Sequence, residues 1–518
     1  MSPSNTSGRG GAKHKSGRHS HSTSGRTARH GHAPRAGHRP TQGASSPLVG
    51  KELELAIDSL ALGGSGVARL PEGVDGLEES AGMAVFVTGA LPGSTVVARL
   101  TAVHRRHAEA VALTVLTPSP DAVEPLCPHF GVCGGCTLQH LSTGSQLAWK
   151  ERQILDALRR IGKVEPQKVL PAITAPAHTQ FRNKMEFAFQ NRGNKLVLGL
   201  YEAGSTGDAN GGRVFDLTTC SIFPEAGVEL VHAVRAACVE AGLTPYDRAR
   251  RTGFLRHLVL RHSVHQDAYL AQLITAPADE EQGRAVQRMG LELLEKYPKL
   301  TGFVHSERAK PDGLAQAERT RITLGTPALI ETLEDVRYSI SADAFFQTCT
   351  RGAEALYAGL RELADLTPTD TVYDLYCGGG GIALFLSGAV ARVLGLEMNP
   401  SAIADAEANA ELAGVENCRF VRADLSGGES MPTRLPGGYE TPDVAVVDPP
   451  REGLDAGLVQ WLTERPLPRL AYVSCNPATL ARDAGLLSSV YDLAAVRAVD
   501  LFPHTAHAEC LALFTPKR

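Results

Sequence analysis

A cysteine follows directly after a stretch that the sequence predicts to be a buried strand. Leu470 to Val473 are apolar and partly β-branched, which predicts the strand, and Asn476-Pro477 predicts that a helix begins just beyond it. Cys475 then lies at the carboxyl end of a strand, where open α/β sheets bind their ligands. We expect the helix N-terminus to lower the pKa of this thiol and to favour a thiolate nucleophile. A small buried hydrophobic residue is the alternative role for a lone cysteine.

A second set of cysteines has the spacing of ligands to one inorganic centre. Three of them lie within ten residues and form the pattern C-x5-C-G-G-C: Cys127, Cys133 and Cys136. Thiolates this close repel one another unless a cation or a cluster compensates their charge. Zinc and iron–sulfur centres both suit such ligands. Cys220 is the preferred candidate for the fourth ligand, and His129 and His140 are the alternatives.

Four acids follow predicted strands in the C-terminal part of the chain. Residues 371–384 predict a strand that contains Asp374, a glycine-rich loop and a helix. Glu397 ends the next predicted strand, 23 residues after Asp374, where an acid can hold the hydroxyl pair of a ribose. Asp424 and Asp448 end two further predicted strands. No Lys-Ser/Thr phosphate-binding motif accompanies the loop, so the pattern favours a nucleoside ligand without pyrophosphate. S-adenosylmethionine is such a ligand.

Length and charge limit where these groups can act. A chain of 518 residues is too long for one core and predicts several domains. The net charge is −4, yet residues 1–51 carry nine Lys/Arg and no acid, so a contact with a polyanion must be local. Residues 1–48 have almost no large apolar side chain and predict a disordered basic tail. No apolar run reaches 18 residues and no secretory signal is present, so we expect a cytoplasmic protein without a membrane span.

The remainder divides into three predicted domains. Residues 49–117 contain short strands separated by Gly/Pro turns, which predicts a small OB-like barrel. Its motifs Gly66-Val67-Ala68-Arg69, Val85-Phe86-Val87 and Ala90-Leu91-Pro92-Gly93 resemble the RNA-binding TRAM domain. Residues 118–330 mix helical and strand patterns and predict an α+β central domain, and residues 331–518 hold the glycine loop and Cys475.

Basic and helical patterns outside these motifs carry further predictions. Four side chains give the barrel local positive charge: Arg99, His104, Arg105 and Arg106. Four in the central domain are candidates to face RNA phosphates: Arg182, Lys184, Arg256 and Arg261. Residues 146–161 predict a helix whose apolar face is formed by Leu147, Ile154, Leu155 and Leu158. Residues 500–507 are expected to be strand-rich.

Taken together, the motifs resemble the RNA 5-methyluridine methyltransferases over about residues 50–518. The motifs that carry the resemblance are Phe345-Phe346-Gln347, Asp374-Leu375-Tyr376-Cys377-Gly378, Asp448-Pro449-Pro450-Arg451-Glu452-Gly453, Ser474-Cys475-Asn476-Pro477 and Phe502-Pro503-His504-Thr505-Ala506-His507-Ala508-Glu509. The barrel and the four cysteines are similar to the 23S ribosomal RNA branch, whose cluster is [4Fe–4S]. The resemblance implies that Cys475 is the nucleophile and Glu509 the general base. It implies S-adenosylmethionine contacts from Gln347, Tyr376, Glu397, Asp424 and Asp448, and cluster ligation by Cys127, Cys133, Cys136 and Cys220.

The fold class that follows is α/β. We expect a doubly wound class I S-adenosylmethionine-dependent methyltransferase sheet, an N-terminal TRAM barrel, and an α+β central domain that holds the cluster. The expected activity is methyl transfer to carbon 5 of a uridine in 23S ribosomal RNA, by a monomer, through a covalent cysteine adduct. A transfer RNA uridine-C5 methyltransferase and a catalytically silent RNA-binding protein are the alternatives.

Overall fold

The computed structural model describes residues 48–74, 81–205, 212–425 and 435–518. The predicted disordered basic tail, residues 1–48, lies outside the described residues except for Leu48. Residues 48–518 form one compact unit, so the domain boundaries remain predictions and the elements are grouped below by the sheet they join. Within the described residues, no helix is long and apolar enough to cross a membrane.

The N-terminal strands close into a five-stranded barrel, as the sequence predicts. The strands pair in the order β1-β2-β3-β5-β4. They are β1 (Glu52–Leu60), β2 (Gly66–Arg69), β3 (Ala84–Thr88), β4 (Thr95–Val103) and β5 (His107–Thr117). Alternate side chains such as Leu55, Val85 and Val96 fill the interior, which is the period of two that a half-buried strand requires.

The central region combines helix α1 (Thr143–Ala157), a seven-stranded sheet, and helices α2 (Glu225–Glu240) and α3 (Glu280–Lys296), which pack into the core of that sheet. The sheet has the order β13-β12-β11-β10-β7-β8-β9. Its strands are β7 (Lys184–Arg192), β8 (Lys195–Tyr201), β9 (Val214–Asp216), β10 (Leu255–Ser263), β11 (Ala268–Thr275), β12 (Leu300–Glu307) and β13 (Arg319–Gly325). A hairpin of β14 (Ala328–Leu333) and β15 (Val336–Ser341) follows.

The C-terminal sheet has eight strands in the order β18-β17-β16-β19-β20-β22-β21-β6. Its strands are β6 (Lys168–Val169), β16 (Thr371–Leu375), β17 (Arg392–Glu397), β18 (Cys418–Arg422), β19 (Val444–Val447), β20 (Arg469–Ser474), β21 (Tyr491–Val499) and β22 (Glu509–Pro516). Its helices are α4 (Thr350–Leu363), α5 (Gly381–Leu386), α6 (Pro400–Ala413), α7 (Ala456–Glu464) and α8 (Pro477–Leu487). Strands β16 to β20 are parallel, and β22 runs antiparallel to β20 and β21.

Apolar side chains cover both faces of this sheet, which makes it doubly wound. Along β20, Leu470 and Tyr472 join one buried cluster, whereas Ala471 and Val473 join the other. Neighbouring residues of a strand point to opposite faces, so the two clusters lie on opposite sides. A parallel sheet buried on both faces explains why its strands read as continuous apolar runs in the sequence.

Helix α1 departs from the apolar face that the sequence predicts. The helix forms and is extended by a π-helical turn over Leu158–Gly162, and Ile154 is buried as expected. Three polar side chains on the same helix are buried as well: Gln146, Lys150 and Gln153. The Gln153 Nε2 donates to the carbonyl oxygens of Leu60 and Ala61, each at 3.0 Å, and so ties α1 to the barrel.

Candidate active site and cysteine centre

The predicted functional residues of the C-terminal sheet meet at one edge. Because β16, β17, β19 and β20 are parallel neighbours, their carboxyl ends lie side by side. Glu397 is the last residue of β17, Asp448 follows β19, Cys475 follows β20, and Asp374 is the penultimate residue of β16. Ligands of open α/β sheets bind in the crevice outside these strand ends. The structure therefore brings together four residues that the sequence separates by up to a hundred positions.

The glycine loop between β16 and α5 depends on left-handed backbone. Gly380 has a φ of +81°, and a Cβ placed there would lie 3.1 Å from the Cβ of Ala406. Tyr376 adopts a φ of +67°, which is uncommon for a residue with a side chain and is a form of strain often found at functional sites. The Glu397 carboxylate accepts the N–H of Gly378 at 3.2 Å. Glu397 therefore fixes the loop as well as facing the crevice.

A fully buried acid, Asp374, and a half-buried one, Asp448, lie beside this loop. Burial, followed by the charge of Asp448, raises the pKa of Asp374 to about 8, although Asp374 also accepts the N–H of Ala383 at 2.9 Å. Burial raises the pKa of Asp448 to about 7. A positively charged ligand in the crevice would lower both pKa values, because an opposite charge favours the ionised carboxylate.

The other two predicted cofactor residues also lie near the crevice. Gln347 lies against the hydroxyl group of Tyr357 in α4. That hydroxyl is so close to the glycine loop that a Cβ on Gly381 would lie 3.1 Å from it. Asp424 is exposed, two residues beyond the end of β18, and its charge acts on the phenol of Tyr376.

Cys475 stands between strand and helix as the sequence predicts. Helix α8 begins at Pro477, and the side chain of Asn476 accepts the N–H of Ala478 at 3.1 Å as the N-cap. The Nδ2 of Asn476 donates to the carbonyl oxygen of Arg451 at 3.0 Å, which ties the helix start to the loop after β19. Cys475 is half-buried, so its sulfur remains accessible from the crevice.

The expected lowering of the thiol pKa by the helix is wrong. The pKa of Cys475 is raised, first by burial and then by the charges of Glu509 and Asp448, while Arg451 lowers it. The two acids come from other strand ends, and their combined field together with burial outweighs the helix N-terminus. The resting thiol is therefore protonated at neutral pH.

Glu509 lies next to Cys475. Strands β20 and β22 pair with Ser474 opposite Cys510, so the residue after Ser474 and the residue before Cys510 are neighbours across the antiparallel ladder. Glu509 is only 6% exposed. Burial and the charge of Asp448 raise its pKa well above the usual range, whereas Arg451 and Lys150 lower it.

The segment that leads to Glu509 is not strand-rich, contrary to expectation. Strand β21 ends at Val499, and turns and bends fill residues 501–506 before β22 begins. His504 has a φ of +65°. Its N–H donates to Gln146 Oε1 at 2.7 Å, and its carbonyl oxygen accepts the N–H groups of Thr137 and Leu138, each at 2.9 Å. Helix α1 and the loop of Cys136 therefore hold this turn in place.

The four predicted ligand cysteines line one pocket. Cys127, Cys133, Cys136 and Cys220 border this pocket together with apolar side chains such as Met185 and Phe215. Burial, followed by the charges of the neighbouring thiols, raises the pKa of Cys136 to about 12, and burial raises that of Cys220 to about 11. A bound cation or cluster would be needed to hold these thiols in the thiolate form.

The four thiols leave zinc and an iron–sulfur cluster as the candidate centres, because each can be bound by four thiolates. Among the described residues, His104, His107 and Glu109 on the barrel form a group of three ligand atoms within 4.8 Å of one another.

The histidine alternatives differ in their positions. His129 borders the cysteine pocket, but its Nε2 is hydrogen-bonded to the Thr218 hydroxyl at 2.8 Å. His140 does not border the pocket, and its ring packs against Phe130 with the ring centres 4.9 Å apart. Both Cys220 and His129 border the pocket, and Cys220 stays the preferred candidate for the fourth ligand as a prediction.

The predicted RNA-facing arginines of the central region are buried instead. Arg256 donates to the carbonyl oxygens of Arg308 and Lys310, each at 2.7 Å, and Arg261 donates to that of Ala342 at 3.1 Å. Arg182 is half-buried, and its guanidinium lies 4.4 Å from the ring centre of Phe502. Lys184 pairs with its neighbour Glu186. Guanidinium groups can satisfy several carbonyls at once, and this use is invisible in the local sequence.

The basic side chains of the barrel have two different environments. Arg99 pairs with Glu52 at 2.8 Å across β1 and β4. Arg105 and Arg106 are exposed in the turn between β4 and β5. Arg105 and Arg106 therefore present exposed positive charge of the kind that RNA phosphates attract.

Sequence reasoning missed Lys150 and Gln146, whose side chains contact the turn that precedes Glu509. The signal was present: Gln146, Lys150 and Gln153 recur at the spacing of one helix face, beside the apolar residues that were assigned to it. Polar residues that share the apolar face of a helix indicate buried hydrogen-bond partners from another part of the chain.

Comparison with known proteins gives two family matches. The tRNA (Uracil-5-)-methyltransferase family matches residues 309–517. The TRAM domain matches residues 48–113, which contain the closed barrel except for the last four residues of β5.

Several relatives align with nearly the whole chain. An uncharacterized RNA methyltransferase of Nitratidesulfovibrio vulgaris is 39% identical over 90% of this chain and 97% of its own length. One from Chlorobaculum tepidum is 36% identical over 84% of this chain and 92% of its own. Among solved structures, the tRNA (uracil-54, C5)-methyltransferase of Pyrococcus abyssi, in complex with S-adenosyl-L-homocysteine, is 25% identical with a TM-score of 0.68. That alignment covers 89% of this chain and all of the other.

Proposed function

The chain belongs to the family of RNA methyltransferases that carry a TRAM domain and a tRNA (Uracil-5-)-methyltransferase domain, and from this premise we propose that it methylates carbon 5 of a uridine in 23S ribosomal RNA through a covalent cysteine adduct. The observation that supports the proposal most is the pairing of β20 with β22, which makes Cys475 and Glu509 neighbours. A nucleophile and a base are the two groups that this chemistry needs. We further propose that the enzyme acts as a monomer in the cytoplasm.

Cys475 opens the reaction. Carbon 5 of uracil is a poor nucleophile. When the Cys475 thiolate adds to carbon 6, carbon 5 becomes an enolate-like carbon that can attack a methyl group. The raised pKa of Cys475 means that the thiol must lose its proton as the complex forms, and Arg451 supplies the nearby positive charge that favours the thiolate. The target base must leave its stack to reach the sulfur, so loop or single-stranded RNA is the substrate class.

Glu509 closes the reaction. After methyl transfer, the proton on carbon 5 moves to the Glu509 carboxylate, the double bond between carbons 5 and 6 re-forms, and the bond from carbon 6 to sulfur breaks. A carboxylate whose pKa is raised by burial and by Asp448 binds that proton more firmly than an ordinary glutamate does. Arg451 and Lys150 limit the increase and so keep part of the enzyme in the ionised form.

The crevice beside the glycine loop suits S-adenosylmethionine. The residues proposed to hold it are Gln347, Tyr376, Glu397, Asp424 and Asp448. This cofactor supplies an electrophilic methyl group on a positively charged sulfonium. The acids Asp374 and Asp448, with pKa values of about 8 and about 7, are a donor set that a cation would stabilise in the ionised form.

The choice of ribosomal RNA rests on the barrel and the cysteine set, which are similar to the ribosomal branch. Transfer RNA is the second candidate, because the structural neighbour from Pyrococcus abyssi is a tRNA (uracil-54, C5)-methyltransferase. The remaining alternative is a silent RNA-binding protein. Against it stands the juxtaposition of a buried acid with an accessible thiol, which RNA binding alone does not need.

Transfer of a labelled methyl group tests the proposed function. Purified enzyme is mixed with methyl-labelled S-adenosylmethionine and with separate ribosomal and transfer RNA fractions from cells that lack this chain. We expect label in ribosomal RNA, recovered as 5-methyluridine after nuclease digestion. Label in transfer RNA alone would favour the second candidate. RNA that binds tightly without gaining label would support the silent protein.

For the cysteine centre we propose a [4Fe–4S] cluster held by Cys127, Cys133, Cys136 and Cys220. The four thiols that border one pocket and the apolar lining of that pocket support it, together with the resemblance to the ribosomal branch, whose cluster is of this type. Because the loop of Cys136 also holds the carbonyl of His504, the centre would fix the turn that leads to Glu509. Zinc is the alternative.

Metal analysis tests this assignment. We expect about four iron and about four sulfide per chain, with brown colour, after purification without air. Cys220→Ser should lose iron and weaken RNA binding, while S-adenosylmethionine affinity changes little because the cofactor crevice lies elsewhere. Cys238→Ala is the matched control, since Cys238 is a buried cysteine in α2 outside the pocket. Stoichiometric zinc without iron would refute the cluster, and full iron in Cys220→Ser would move the fourth ligand to His129.

A further inference from the structure

A buried ion pair joins α1 to the segment that precedes Glu509. The Lys150 Nζ lies 2.7 Å from the Asp500 carboxylate, and both side chains are only 2% exposed. The same Nζ donates to the carbonyl oxygen of Phe502 at 2.9 Å. One ammonium group thus holds two points of the segment where β21 ends and the turn begins.

A second residue of α1 holds the far side of the same turn. Gln146 lies four residues before Lys150, on the same helix face. It accepts the N–H of His504 at 2.7 Å and donates to the carbonyl oxygens of Leu138 and Leu141 at 3.0 and 2.7 Å. The turn from Asp500 to His504 is therefore fixed by α1 at both ends, although the helix and the turn are about 350 positions apart in the chain.

Building on the proposed function, we infer that Lys150 is a positioning residue for the general base: it fixes the turn that sets the place of Glu509, and it provides a buried positive charge on the protein side of that carboxylate. Glu509 is the first residue of β22, five residues after His504. A shift of the Asp500–His504 backbone would move the carboxylate away from carbon 5 of the target base. A misplacement of about 1 Å can lower a rate by about 10²-fold.

The titratable groups around Glu509 come from three elements. Asp448 and Arg451 lie in the loop after β19, Cys475 follows β20, and Lys150 reaches in from α1. After burial, Asp448 raises the pKa of Glu509, whereas Arg451 and, to a smaller extent, Lys150 lower it. Arg451 is exposed and screened by solvent, so Lys150 is the buried counter-charge.

The sign of the pH effect follows. Glu509 must be ionised to accept the proton. If the positive charge of Lys150 is removed, the pKa of Glu509 rises further, so a higher pH is needed for the same ionised fraction. Asp500 compensates part of the Lys150 charge, and its own role must be separated from that of the lysine.

Three variants separate positioning from simple charge compensation. Lys150→Met removes the ammonium group. Lys150→Met alone leaves the Asp500 carboxylate buried and unpaired, which favours unfolding. Lys150→Met combined with Asp500→Asn removes both charges and so avoids this effect. Gln153→Met is the matched control, because it removes two buried hydrogen bonds of the same helix that lead to the barrel and not to the turn. Each is assayed with the RNA fraction that the wild-type enzyme methylates.

For Lys150→Met, we expect the acidic limb of the kcat profile to move to higher pH, and in the double variant the loss of the Asp500 charge offsets part of that move. For both variants we expect a methylated RNA–protein adduct that survives denaturation to accumulate, because proton removal follows methyl transfer. Gln153→Met should change stability or KM and leave both readouts at their wild-type values. A double variant that accumulates no adduct, or a folded Lys150→Met enzyme with a wild-type pH profile, would overturn the inference. A wild-type enzyme that methylates no RNA would instead overturn the proposed function.

Discussion

Replacing Cys475 with alanine is expected to abolish methyl transfer to RNA while S-adenosylmethionine still binds. The thiol is the proposed nucleophile, and loss of an essential nucleophile costs on the order of 10⁴-fold or more in rate. The residues proposed to hold the cofactor lie outside β20, before α4 and at or just beyond the ends of β16, β17, β18 and β19. Label incorporation and cofactor affinity, measured side by side, check both halves of the expectation.

RNA that contains 5-fluorouridine sharpens this test. In 5-fluorouridine a fluorine atom replaces the proton on carbon 5, and a base cannot remove it. The wild-type enzyme should therefore remain bonded to the RNA after methyl transfer. Cys475→Ala should give no such adduct. Cys418→Ala is the control, because Cys418 is buried at the start of β18, four strands away from β20 in the sheet. An active Cys475→Ala enzyme would refute the covalent mechanism.

Replacing Glu509 with glutamine is expected to stop the reaction after methyl transfer. An amide cannot take the proton from carbon 5, so the methylated adduct with Cys475 should accumulate on normal RNA. Loss of a general base costs about 10²- to 10⁴-fold in turnover. Gel analysis under denaturing conditions and the mass of the trapped complex, which should include the added methyl group, are the measurements.

The control for Glu509 is a buried acid in helix α8, which packs against the same sheet. Asp483 in α8 is fully buried and accepts the hydroxyl of Tyr472 and the N–H of Leu454, each at 2.8 Å. Asp483→Asn should weaken the fold without trapping RNA. If Glu509→Gln released unmethylated RNA and formed no adduct, the base would be another residue.

The architecture was predictable because local patterns carry it. The apolar runs of β16, β19 and β20 reflect burial on both faces, and the glycine loop reflects the left-handed backbone that Gly380 supplies. The alternating strands of the barrel are likewise local. Each of these signals lies within about fifteen residues, which is the range over which a sequence pattern determines structure.

The errors concern effects that come from distant parts of the chain. The pKa of Cys475 is set by Glu509 and Asp448, which stand on other strands. The turn before Glu509 replaces an expected strand because Gln146, 358 positions away, holds His504 in a left-handed conformation. A helical pattern could identify α1, but not that its buried lysine has a partner at Asp500.

The buried arginines show the same limitation. Arg256 and Arg261 are in strands whose sequence gives no sign of the carbonyl groups they bind. Their partners at 308–310 and 342–344 lie 50 to 80 positions further along. The positive charges of these two arginines therefore predicted RNA contacts, whereas in the structure they bind carbonyl groups inside the protein.

The central claim is tested most directly by mapping 5-methyluridine in cells. Ribosomal and transfer RNA would be taken from a strain that lacks this chain, and from the same strain supplied with the wild-type protein or with Cys475→Ala. We predict that 5-methyluridine disappears from at least one 23S ribosomal RNA position in the deletion strain, returns with the wild-type protein, and stays absent with Cys475→Ala. Unchanged 5-methyluridine in both RNA classes of the deletion strain would contradict the account.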